Sequence, residues 1–188
     1  MRGNKQYLIL TFVIIFFAFT VSGEINAEGH KCVLPAQDFK EVSNCVKLSK
    51  KGQLFIASQY LRQLSFGEND LAVVYSKEEG WMYVNRKGRV IISEVAAMDN
   101  GADDFHDGLV RFSKKNKWGF ADVKGGVVVP AIYDGALNFK NKTAKVCRGC
   151  TWRCADKECE QHYLSGGEWF YINTKGNIFK KVKEGDNE

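Results

Sequence analysis

Five residues near the C-terminal end have the types and spacing of a metal centre or a redox site. Cys147-Arg-Gly-Cys150 and Cys159-Glu-Gln-His162 each place two residues between their ends, and Cys154 lies between them. Thiolates and imidazole at this spacing hold structural zinc, and Cys147, Cys150, Cys159 and His162 make a four-ligand set. Cys-x-x-Cys is also the spacing of thiol oxidoreductases, which place the pair at a helix N-terminus after a strand. No helical pattern follows Arg148-Gly149. The same cysteines can instead close disulfides, and the compartment decides between these chemistries.

Arg2 and Lys5 precede an apolar run from Tyr7 to Val21, and the small residues Ser22, Gly23 and Ala27 follow. A basic start, a short apolar run and small residues describe a secretory signal peptide over 1–27, cleaved after Gly23 or Ala27. The run is shorter than the roughly 20 residues a membrane helix needs, so no stable span is expected after cleavage. An uncleaved signal anchor is the other reading of the same run. Export to the bacterial periplasm or the medium is therefore expected. All six cysteines follow the cleavage point: Cys32, Cys45, Cys147, Cys150, Cys154 and Cys159. In an oxidising compartment thiolates become disulfides, which favours disulfide over zinc. Proximity pairs Cys32 with Cys45 and leaves the other four to pair among themselves.

The elements that position this loop come from an internal repeat. Trp81-Met-Tyr83-Val-Asn85-Arg-Lys87-Gly88, Trp118-Gly-Phe120-Ala-Asp122-Val-Lys124-Gly125 and Trp169-Phe-Tyr171-Ile-Asn173-Thr-Lys175-Gly176 share one pattern. Ser49, Lys51 and Gly52 give a degenerate copy, with Cys45 in the place of Trp. The tryptophans are 37 and then 51 residues apart, so the last unit holds an insertion. Strands of about five residues with Asn/Asp and Gly turns between them predict β-meanders, and stacking buries their apolar faces on one another. Trp and the aromatic two residues on share one strand face, which is expected to be buried rather than to stack on sugars. The expected organisation is a lead at 28–42, four units over 43–182, a Cys-rich hairpin insertion at 147–162 and a charged tail at 183–188. The fold class is all-β: tandem three-stranded antiparallel units.

The middle unit carries Gly108-Leu-Val, Lys117-Trp118-Gly119-Phe120-Ala-Asp122, Gly125, Val-Val-Pro130, Tyr133-Asp134 and Phe139. This resembles the WG-repeat (KWG repeat) family. The flanking units depart from it, with Met82 and Phe170 replacing the Gly after Trp. The resemblance implies a β-repeat fold and carries no catalytic motif.

Formal net charge is +5, falling to +4 without residues 1–27, and the lysines interleave with acids. Nucleic acid would need them gathered on one face, so it is not expected as a partner. His106 lies in Asp103-Asp104-Phe105-His106-Asp107, which reads as a solvated turn rather than a base or ligand. No P-loop, Gly-x-Ser-x-Gly or His-Glu-x-x-His occurs. No cofactor and no enzyme activity are expected. On the loop, Trp152 flanked by Arg148 and Arg153 is a candidate binding hot spot, or else covers the disulfides. The expected function is binding of another protein, in the manner of a periplasmic inhibitor or immunity-type protein. Binding of envelope glycan or a small ligand is the alternative; zinc binding or thiol redox at the loop cysteines is a further one.

Overall fold

The computed structural model describes residues 29–67, 69–98 and 101–182. The expected signal peptide at 1–27 and the expected charged tail at 183–188 fall outside the described residues. Among those described, no helix is long and apolar enough to cross a membrane.

Four three-stranded antiparallel units follow one another. The first is β1 (His30–Leu34), β2 (Lys40–Leu48) and β3 (Leu54–Ile56). The second is β4 (Leu71–Ser76), β5 (Gly80–Asn85) and β6 (Val90–Val95). After the short pair β7 (Ala97–Met98) and β8 (Gly101–Ala102) comes the third, β9 (Leu109–Lys114), β10 (Lys117–Asp122) and β11 (Val127–Tyr133). β12 (Gly135–Ala136) leads to β13 (Thr143–Arg148), and the insertion forms β14 (Thr151–Cys154) and β15 (His162–Ser165). β16 (Glu168–Asn173) and β17 (Ile178–Lys181) complete the fourth unit around β13. The expected lead at 28–42 is thus partly strand: β1 pairs with β2 as β4 pairs with β5, so the first unit begins at His30 and not at 43.

The shared motif is a turn. Asn85 Oδ1 accepts the N–H of Lys87 and of Arg89, both at 3.0 Å. Asp122 does the same for Lys124 and Gly126, and Asn173 for Lys175 and Asn177. Short side-chain acceptors two residues before a free backbone N–H are suited to this role. Ser49 Oγ, accepting from Gln53 N–H at 3.0 Å, keeps the turn in the degenerate unit. The glycine has a second task besides its positive φ. A Cβ on Gly88, Gly125 or Gly176 would press on the trailing strand of the preceding unit, at Ile56, Ile91 and Val129. A Cβ on Gly52, in the first described unit, meets nothing within 4 Å.

Units one to three share a nine-stranded sheet, order β11-β10-β9-β6-β5-β4-β1-β2-β3, and the fourth forms its own sheet with β12. Inside the large sheet the ladders of neighbouring units meet at Val33 with Tyr75 and at Val95 with Phe112, and an isolated bridge of Phe55 with Arg89 adds to the first of these junctions. The units splay there, and apolar side chains fill each wedge. One cluster joins Leu34, Val46 and Ile56 to Met82 and Val84. The next joins Tyr83 and Ile92 to Val110 and Phe112, and the last joins Phe120 and Val129 to Val146 and Ile172. Successive side chains of β5 therefore fill opposite wedges, and both faces are covered. The expectation of one buried face is corrected accordingly: Tyr83 and Phe120 are buried, but Trp81, Trp118, Trp169 and Tyr171 are only half-buried.

Candidate functional site

The insertion is a two-stranded hairpin rooted in the fourth unit. Its register pairs Thr151 with Ser165, Trp152 with Leu164, Arg153 with Tyr163 and Cys154 with His162. All four residues of β14 are exposed. A segment of this kind cannot be ordered by burial, so its root and tip are fixed by other means.

At the root, Cys147 is bonded to Cys150, and both are buried. Gly135 in β12 leaves the space into which the hairpin seats: a Cβ there would collide with Leu164 and lie 2.9 Å from Cys147 Sγ. Asp134 ties the root to the third unit. Its carboxylate pairs with Lys117, and it accepts the Gly149 N–H at 2.8 Å. The hydrogen bond from Lys117, and then that from Gly149, hold this carboxyl below the usual carboxylate range. At the tip, Cys154 is bonded to Cys159, and Asp156 accepts the N–H groups of Glu160 at 2.9 Å and Gln161 at 3.1 Å. Cys32 is bonded to Cys45 within the first unit.

The zinc set is not assembled. Cys147 and Cys150 are joined to one another at the root, while Cys159 and His162 lie at the other end of the hairpin, across four ladder pairs. The three candidate binding residues do not form one patch either. Trp152 and Arg153 are neighbours on a strand and so point to opposite faces. Arg148 precedes the hairpin, with its guanidinium 5.4 Å from the Tyr133 ring and 5.6 Å from that of Phe170. Sequence reasoning missed Tyr163, which is 52% exposed like Trp152 and stands opposite Arg153.

Residues 118–152 match the family model described as WG containing repeat. This stretch of the chain is a WG-containing repeat. No curated protein and no solved structure matches the chain. The matched stretch runs from the WG strand through the leading strand of the next unit and onto the hairpin as far as Trp152. Within this WG repeat the name-giving glycine has a steric reason. A Cβ on Gly119 would stand 2.8 Å from Ala131 N and 2.9 Å from the Pro130 carbonyl carbon, where β10 and β11 slip register. Lys117 and Asp134 of the same repeat are the pair that anchors the hairpin root.

Two further sites bear on chemistry. The solvated-turn reading of Asp103 is wrong. Asp103 is 1% exposed, takes the Arg111 Nε–H at 2.8 Å and the Asn138 amide at 3.1 Å, and its carbonyl accepts from Tyr83 Oη at 2.8 Å. Burial, then Asp104 and Asp103, push the Tyr83 phenol up to about 12, so it stays a donor. Beside it lies a cleft of about 560 Å³, lined by Asn69, Tyr83, Asp104 and Phe105 among others. His106 engages Leu109 through its backbone on both sides of the turn.

Proposed function

We propose that this chain is an exported, non-enzymatic binding protein that engages another protein through the stapled hairpin of its last repeat. One observation carries the reading: Trp152 and Tyr163 are each about half exposed, at 52%, on opposite faces of a segment fixed at both ends by disulfides. Apolar rings held rigid in water lose little further freedom on binding, and such residues dominate interface energies. Three disulfides and an N-terminal signal-like run support export from a bacterial cell. An inhibitor or immunity-type protein is one form such a binder takes.

The test is capture of partners from periplasmic extract by the mature chain. Trp152→Ala and Tyr163→Ala should each weaken capture of the same partner by about 2 kcal/mol, or some thirtyfold, with Tm unchanged. Capture undiminished in the double variant removes the hairpin from the interface. The cleft at Asn69, Tyr83, Asp104 and Phe105 favours a second reading, a small polar ligand such as a glycan fragment. A ligand-induced rise in Tm that Phe105→Ala abolishes and Trp152→Ala leaves intact would establish that reading instead.

A further inference from the structure

Three metal-ligating atoms converge at the tip of the hairpin. Sγ of Cys154, Sγ of Cys159 and a ring nitrogen of His162 all lie within 4.8 Å of one another. His162 Nε2 is 3.2 Å from Cys159 Sγ. Cys154 and His162 are exposed and Cys159 is half-buried. The other two disulfides differ: Cys32, Cys45 and Cys147 are exposed by 1% or less and Cys150 by 6%. The tip is also held by hydrogen bonds besides its S–S bond. Asp156 accepts the Glu160 and Gln161 N–H groups, and Ala155 N–H donates to Gln161 O at 2.7 Å.

We propose that the Cys154–Cys159 disulfide is a thiol-exchangeable lock over a metal site, and that the reduced tip takes one Zn²⁺ through Cys154, Cys159 and His162. Exchange requires an incoming thiolate to reach a disulfide sulfur, and of the six only those of the tip stand open to solvent. A thiolate of an external dithiol attacks Cys154 Sγ, and the electron pair of the broken S–S bond leaves on Cys159 Sγ. That sulfur takes a proton from water. The second thiol of the reductant then attacks the mixed disulfide, closes its own disulfide and releases Cys154. Two electrons have passed from the dithiol to the tip. Zn²⁺ then displaces the two thiol protons. Two sulfurs and one imidazole nitrogen are ligands it accepts, with water in the fourth tetrahedral position. The revised set differs from the sequence-derived one because Cys147 and Cys150 remain bonded to each other at the root.

The experiment uses the mature chain in graded dithiothreitol, with alkylation and peptide mapping, followed by anaerobic Zn²⁺ titration of the tip-reduced protein against a chromophoric chelator. Cys154 and Cys159 should be alkylated at reductant concentrations at least about tenfold below those that open the other two disulfides. Zinc should bind one per chain. His162→Ala should weaken it by at least about tenfold, and the Cys154→Ser/Cys159→Ser double variant should abolish it. The resistance of Cys32–Cys45 and Cys147–Cys150 reports in the same map that each variant is folded. Simultaneous opening of all three disulfides overturns the proposal, as does zinc binding absent from the reduced tip or indifferent to His162→Ala. None of these readouts depends on a protein partner.

Discussion

In the repeat scaffold, Phe120 is 1% exposed, its ring centroid 4.7 Å from that of Phe139 in the next unit. In the hairpin, every residue from Thr151 to Cys154 is exposed. The two regions are ordered by different physics. A scaffold unit is positioned by the wedge cluster it shares with its neighbour, so its order depends on the presence of that neighbour. The hairpin shares no cluster and is positioned by bonds at discrete points: two disulfides, the Asp134 bridge, the Asp156 cap and the Gly135 seat. Damage should therefore spread through the scaffold and stay local in the hairpin.

The largest expected effect breaks the scaffold side of this contrast. Phe120→Ala opens a cavity between the third and fourth units and should cost about 3–5 kcal/mol of unfolding free energy in a denaturant titration, whereas Trp152→Ala should cost under about 0.5 kcal/mol. A smaller effect sharpens the hairpin side. Gly135→Val drives a side chain into Leu164 and should cost about 1–3 kcal/mol, with proteolytic nicking confined to 149–167. Nicking in the first unit instead would mean that the hairpin is coupled to the whole array. The smallest is the pH response of the root. A carboxyl lowered in the folded state adds stability that is present above its unfolded pKa of about 3.9 and is lost as pH falls through the folded value. Amide protection at Gly149, normalised to intrinsic exchange, should therefore hold at neutral pH and fall below about pH 4, and Asp134→Asn should remove that dependence.

The scaffold was legible because its determinants are local. Asn85, Asp122 and Asn173 bond to amides two and four residues away, so the turn is written in one short motif that three units repeat. Cys32 and Cys45 could be paired by proximity for the same reason. What escaped the sequence depends on contacts across unit boundaries. Asp103 looks like one acid among several in a turn until Arg111 and Asn138, from the third unit and beyond, close over it. The half-burial of the tryptophans is set by packing across unit boundaries, which spacing does not encode. The separation of the zinc ligands follows from the length of a hairpin whose strands are too short and polar to announce themselves.

Each unit meets its predecessor through the Lys-Gly turn, at one end of its middle strand. The opposite end of that strand joins the leading strand, and this is where the fourth unit admits its hairpin. In the third unit the same place is a two-residue turn, Lys115-Asn116, both exposed and both at positive φ. The array thus has an insertion port at every repeat, on the side away from the load the wedges carry. A graft at Lys115-Asn116 would extend a loop at the end of the strand opposite the Lys-Gly contact between units, so new loops can be acquired one unit at a time.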